Sequence, residues 1–170
     1  MKERKIITFL GNTLTLIGNE IKIGQIAPDF TVLDKDFKEI TLKDFSGKIK
    51  IISVTPSLDT PVCNMQARKF NDMALKLGKD IVILNISMDL PFAIDRFCNS
   101  TGVDKIIVLS DHRDASFGLN YGVLIKELRL LARSIFIIDK NDIIRYIEIV
   151  PEITQEPNYE KALEELKNLS

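Results

Sequence analysis

The sequence predicts an α/β sandwich with a mixed central sheet that begins parallel, finishes antiparallel and is flanked by helices. Two observations carry that prediction. Apolar, largely β-branched runs of buried-strand type at residues 50–55, 81–87 and 106–109 alternate with segments whose apolar residues recur nearer to helical spacing. Two later runs, 133–138 and 143–147, enclose the polar stretch Asp139-Lys140-Asn141-Asp142 and read as an antiparallel pair. The chain has 170 residues, the size of one domain, with residues 1–20 as a decoration at its start.

In order, Ile6-Ile7-Thr8-Phe9-Leu10 and Thr13-Leu14-Thr15-Leu16-Ile17 flank Gly11-Asn12, a pair that favours a tight hairpin. A short extended stretch at 30–33 leads through the turn Asp34-Lys35-Asp36 to another at 39–42. The strand at 50–55 ends at Pro56. Residues 62–77 place apolar side chains at Val62, Met65, Phe70, Met73, Ala74 and Leu77, and Gly78 is a natural helix stop. A second strand at 81–87, a helix at 90–99, a third strand at 106–109 and a short helix at 115–121 follow. The antiparallel pair and a helix at 157–169 close the chain.

Composition removes several functions. With 45% hydrophobic residues the chain can bury a real core, and 23 Lys and Arg against 24 Asp and Glu leave no basic field for nucleic acid or a membrane surface. Two cysteines and one histidine cannot fill a closed zinc site, and they are too few for a secreted disulfide scaffold. No strand runs into a Gly-rich phosphate loop. The charged start followed by 6–10 imitates a signal peptide, but Gly11 and Asn12 break the apolar run, and no segment approaches the roughly 18 apolar residues of a membrane span. A cytoplasmic protein is expected, in which a disulfide would be a working bond.

The chemistry concentrates in Val54-Thr55-Pro56-Ser57-Leu58-Asp59-Thr60-Pro61-Val62-Cys63, where a buried strand runs into a helix. Thr60 is a good N-cap and Pro61 suits the first helical position, which puts Cys63 in the first turn. Unpaired N–H groups and the positive end of the helix dipole favour an anion there, so a reactive thiolate is expected. The other reading of Cys63 is a small buried hydrophobe.

The segment from Pro56 to Cys63 resembles the active site of the thiol peroxidases, a branch of the peroxiredoxins. The resemblance extends to Gly24-Gln25-Ile26-Ala27-Pro28-Asp29-Phe30, to Ser110-Asp111-His112-Arg113 with Phe117-Gly118 and Tyr121-Gly122-Val123, and to Leu131-Ala132-Arg133-Ser134. It implies a thioredoxin-like fold with an added N-terminal hairpin. It also implies that Cys63 is the peroxidatic cysteine, that Thr60 hydrogen-bonds the thiolate or the peroxide, that Pro56 shields the pocket and that Arg133 supplies a fixed positive charge. Breaking an O–O bond builds negative charge on the departing oxygen, which such groups can stabilise without rearranging. Arg133 could otherwise be a charge at an exposed strand end and Thr60 a plain cap. Arg113 and Arg129 do not match the motif position.

Cys98 lies near the end of the helix at 90–99 and does not form a Cys-x-x-Cys pair. By the resemblance it is the resolving cysteine of an atypical two-cysteine enzyme, capturing oxidised Cys63 in an intramolecular disulfide; read alone, it is a buried helix residue. His112, in a polar turn where relatives usually have an aromatic residue, is assigned a surface or packing role. In the late turn, where relatives often carry glycine, Asn141 tolerates the left-handed conformation.

The expected function is reduction of hydrogen peroxide and organic hydroperoxides, with thioredoxin as reductant, a homodimeric assembly and no cofactor, the oxidising equivalents being held on sulfur. Two alternatives use the same thiol pair: a thioredoxin-fold redox sensor or binding protein, and, disfavoured by the missing Cys-x-x-Cys, a protein disulfide oxidoreductase.

Overall fold

The computed structural model describes residues 2–169. Strands β1 (Glu3–Phe9) and β2 (Asn12–Ile17) form the N-terminal hairpin. Its two-residue turn is Leu10-Gly11, one position earlier than Gly11-Asn12, because Phe9 pairs with Asn12 and both turn residues take positive φ, 49° and 81°. That is the twist a two-residue hairpin prefers. The hairpin does more than decorate. Ile7, Leu14 and Leu16 belong to the larger apolar core, and β2 pairs with the short β8 (Leu124–Ile125), which sequence patterning did not reveal.

The central sheet has seven strands in the order β10-β9-β5-β6-β7-β3-β4. Its parallel heart is β5 (Ile49–Val54), β6 (Ile81–Ser87) and β7 (Ile107–Ser110). On one side lies the antiparallel pair β9 (Ser134–Ile138) and β10 (Ile144–Ile149), and on the other β3 (Thr31–Leu33) and β4 (Glu39–Thr41). A 3-10 turn at Leu42–Phe45 follows β4. The β9–β10 turn differs from expectation: the left-handed residue is Asp142, φ 61°, not Asn141. Its carboxylate accepts a 2.5 Å bond from Lys50, whose side chain is fully buried, so the turn's shape is fixed by pairing an interior ammonium.

Helices α1 (Pro61–Ala74), α2 (Pro91–Thr101) and α4 (Tyr159–Lys167) cover one face of the sheet, packing Phe70, Ile94, Phe97 and Leu166 against Ile51, Ile83, Ile135 and Ile137. The other face packs against the hairpin, α3 (Ser116–Asn120) and the Phe117–Tyr121 stack, with ring centroids 4.4 Å apart. Strand alternation sends Ile49 and Ile51 to the first core and Ile52 and Val54 to the second. No helix among the described residues is long and apolar enough to cross a membrane.

Asp111 fastens the link from β7 into α3. Its two carboxylate oxygens accept the Phe117 and Gly118 N–H groups at 2.9 and 2.8 Å. Burial outweighs those bonds and pushes its carboxyl from 3.8 up to about 6. The folded state therefore holds this proton more tightly than the unfolded chain does. The associated stability is present below about pH 4, declines as pH rises towards 6, and has fallen by roughly 3 kcal/mol above that. Replacing Asp111 with Asn should remove this pH-dependent component. In denaturant unfolding at pH 4 and pH 7, stability lost on raising the pH should be smaller in the variant by about that amount, even if its absolute stability is lower.

Candidate active site

The loop after β5 delivers Cys63 as its residue types suggest. Thr60 is the N-cap of α1, Pro61 opens the helix, and the Cys63 N–H donates to Thr60 Oγ1 at 3.3 Å. The Thr60 hydroxyl donates to the Ser57 carbonyl at 3.2 Å. Pro56 is buried at the end of β5, whereas Thr60 stands at the surface beside an open hollow of about 450 Å³.

The buried stripe of α1 begins one position away from the expected one. Cys63, Gln66, Ala67 and Phe70 face inward, while Val62 is half-buried and Met65 is exposed. Capping fixes the helix phase, and it puts the cysteine inside and Met65 outside.

Arg133 supplies the other half of the site. It immediately precedes β9 and has the parity of Ile135 and Ile137, so it faces α1. Only 2% of it is exposed. Its Nη2 donates to Cys63 Sγ at 3.2 Å and to the Ile153 carbonyl at 2.8 Å; Nε reaches the same carbonyl at 3.0 Å, and Nη1 donates to Gln66 Oε1 at 2.9 Å. Gln66 in turn donates from Nε2 to Ser53 Oγ at 2.8 Å and to the Val54 carbonyl at 3.3 Å. Among the described residues no carboxylate lies within ion-pair distance of this guanidinium. A buried cation held by neutral oxygens leaves the cysteine sulfur as the natural seat for a balancing negative charge.

Gln66 was missed in the sequence. The signal was present: an uncharged polar residue three positions after the cysteine lies on the same helix face, inside an apolar stripe. Ile153, whose carbonyl serves the site, could not have been found from its side chain.

The other residues lie elsewhere. Cys98, half-buried in α2, lines a cavity of about 430 Å³ with Asp34, Lys35 and Ile107, and both thiols are free. Burial pushes the Cys98 thiol up, the Asp95 charge adds to this, and Lys35 opposes it. His112 hydrogen-bonds Ser110 through Nδ1 at 2.9 Å, in keeping with a packing role. Arg113 pairs with Asp114 and Glu39 at the surface, and Arg129 is exposed.

A thioredoxin-like sandwich that presents a buried cysteine at a helix start to a buried arginine defines a cysteine-based enzyme of the peroxiredoxin class. The redoxin family model matches residues 22–163, and the chain belongs to that family, in its thiol peroxidase branch. The thiol peroxidase of Bacillus subtilis (strain 168) is 55% identical over 163 residues, covering 96% of this chain and 97% of the relative. That of Halalkalibacterium halodurans is 53% identical over 161 residues, covering 95% and 96%. Among solved structures, a peroxiredoxin-like protein from Aquifex aeolicus aligns over 100% of both chains with a TM-score of 0.91 at 38% identity. A thiol peroxidase from Chromobacterium violaceum, at 21% identity, covers 98% of each chain with a TM-score of 0.86 and supports the fold alone.

The hydrogen bonds around Arg133 predict an unusual stability pattern. Gln66→Leu leaves a buried guanidinium N–H without its acceptor and should destabilise by about 1–3 kcal/mol. Arg133→Met removes the buried cation but leaves Gln66 Oε1 and the Ile153 carbonyl without their donor and should also destabilise, and in that background Gln66→Leu should lose most of its cost. Denaturant unfolding of the four proteins in the cycle measures the coupling.

Proposed function

We propose that this thiol-dependent peroxidase uses Cys63 as the peroxidatic nucleophile against hydrogen peroxide and small organic hydroperoxides. The observation that carries the reading is the 3.2 Å bond from Arg133 Nη2 to Cys63 Sγ, inside a site where no carboxylate among the described residues lies within ion-pair distance of that cation. The Cys63 thiolate attacks the nearer peroxide oxygen; an S–O bond forms and the O–O bond breaks. The departing alkoxide or hydroxide takes a proton and leaves as alcohol or water, and Cys63 becomes a sulfenic acid. Negative charge moves from sulfur to the departing oxygen, and the guanidinium, already fixed by Ile153 and Gln66, serves both positions without reorganising. Thr60 assists by turning its hydroxyl from the Ser57 carbonyl towards the peroxide, and buried Pro56 keeps water from the sulfur.

In the second stage Cys98 attacks the Cys63 sulfenic sulfur, an S–S bond forms, and the hydroxyl leaves as water with the Cys98 proton. Burial disfavours the Cys98 thiolate where it now lies, so this step is easier once the end of α2 loosens and the sulfur meets water. Thioredoxin then reduces the disulfide by thiol exchange. The reading includes a cytoplasmic homodimer formed through the loops around the site, supported by the family and by the reducing compartment a working disulfide requires.

Cys63→Ser should abolish peroxide consumption. Cys98→Ser should complete one stoichiometric reduction and then stop, with no turnover through thioredoxin. Coupled NADPH oxidation with thioredoxin and its reductase, alongside intact mass after one equivalent of peroxide, tests both; multiple turnover by the first variant would end the assignment. Arg133→Gln should lower kcat/KM for peroxide by about 10²–10³-fold, the scale expected for losing a charged donor at the reacting centre. Arg133→Lys should not restore it, because one ammonium cannot serve sulfur, carbonyl and amide together.

A further inference from the structure

The loop that carries Cys63 is fastened by a residue from another element. Asp89, between β6 and α2, accepts the Ser57 hydroxyl on Oδ1 at 2.8 Å, and the Leu58 N–H and Ser87 hydroxyl on Oδ2, each at 2.8 Å. Behind it, Ser110 donates its hydroxyl to the Asp89 carbonyl at 2.5 Å. With its one proton committed there, Ser110 Oγ receives the His112 Nδ1–H at 2.9 Å, which fixes the turn from the rear. One carboxylate thus joins the segment entering α1 to the segment entering α2, the helix of Cys98.

The two sulfurs face different surroundings. Cys98 lines its own cavity, whereas a separate groove of about 280 Å³ runs between Leu58, Asp59 and Asn64 on one wall and Ala93, Arg96 and Phe97 on the other. Cys63 lines neither; it is fully buried against Arg133. A disulfide requires the two Cβ atoms to come within about 4.5 Å. The Ser57 and Leu58 bonds to Asp89 tie the 56–63 segment to the segment entering α2, so any closing motion between those two segments has to break them.

We propose that Asp89 is a positioning residue that sets the fate of the Cys63 sulfenic acid. While its two bonds to the loop hold, the sulfenic acid stays beside Arg133, where a second hydroperoxide can oxidise it: another S–O bond forms, the O–O bond breaks, and sulfinic acid and alcohol or water result. When they release, Cys98 reaches the sulfur and disulfide and water form instead. Asp89 therefore favours the folded, peroxide-reactive site at the expense of rapid resolution. The inference rests on the resolving role of Cys98 proposed above.

Ser57→Ala removes one loop bond and leaves the Leu58 bond; Asp89→Ala removes both. After one equivalent of peroxide, quenched-flow alkylation and intact mass should show disulfide forming about tenfold faster in Ser57→Ala, the effect of losing one charge-assisted bond, and at least as fast in Asp89→Ala. Under excess peroxide the sulfinic share of Cys63 should fall in the same order. Adding Ser57→Ala to Asp89→Ala should change neither quantity further. A structural role alone would lower stability and the peroxide step while leaving the division between disulfide and sulfinic acid unchanged, and that result would overturn the proposal. Should Asp89→Ala fail to fold, wild-type partitioning in Ser57→Ala would overturn it by itself. If the wild-type protein gives no intrachain disulfide, the resolving role of Cys98 is the part that fails, a result distinct from unchanged variants beside a disulfide-forming wild type.

Discussion

The reaction proposed for this fold depends on a guanidinium held in the interior with no carboxylate within ion-pair distance among the described residues. Arg133 is 2% exposed, and its partners are a peptide carbonyl, a side-chain amide and the Cys63 sulfur. A cation placed so is costly, because the interior replaces water with few and weaker dipoles. In the proposed reaction that cost falls as negative charge arrives beside the guanidinium and passes to the oxygen leaving a peroxide. The strain is offset by seven central strands and the cores on either face.

The N-terminal hairpin acquires a purpose in that light. The Ile153 carbonyl, which accepts two bonds from Arg133, belongs to a loop that the hairpin holds: Ile153 N–H donates to the Thr8 carbonyl at 3.0 Å, and Thr8 N–H to the Pro151 carbonyl at 2.7 Å. Glu152, between them, accepts the Gly11 N–H at 2.9 Å and the Thr8 hydroxyl at 3.0 Å, and donors from Gly11, Thr154 and Thr8 hold its carboxyl at about 2. The chain of contacts runs from hairpin to loop to carbonyl to arginine to sulfur. A segment that looks like an addition in the sequence thus helps aim the guanidinium that faces Cys63.

Much of this was legible from residue types. The cap, proline and cysteine of Thr60, Pro61 and Cys63 specify a helix start locally, and the β-branched runs specify their strands. Arg133 was legible through its place before an apolar strand and the family motif. What escaped depends on distant partners. Leu10 occupies a left-handed turn position because strand register, set by core burial of Ile7 and Leu14, outweighs its own preference. Asp142 rather than Asn141 is left-handed because its carboxylate is needed by Lys50, more than ninety positions away in the chain. Gln66 lies outside any apolar periodicity, being a polar residue that belongs to the buried face of α1.

The two cysteines sit on helices that begin differently, and the difference bears on the tasks proposed for them. The start of α1 has both a proline in its first turn and a side-chain cap from Thr60. The start of α2 has a proline but no side-chain cap, and its first residues leave Leu90 and Phe92 exposed by 52% and 73%. A missing cap costs a helix about 1 kcal/mol and eases fraying of its first turn. Under the proposed mechanism peroxide reduction requires a sulfur aimed within tenths of an ångström, which suits the capped helix, whereas disulfide formation requires motion of the segment entering α2, which its uncapped start eases; Cys98 itself lies about two turns further on, before the left-handed Gly102. The Asp89 carboxylate stands at the junction of the two, so in the proposed scheme the stiffness of the first stage and the motion of the second meet in a single set of hydrogen bonds.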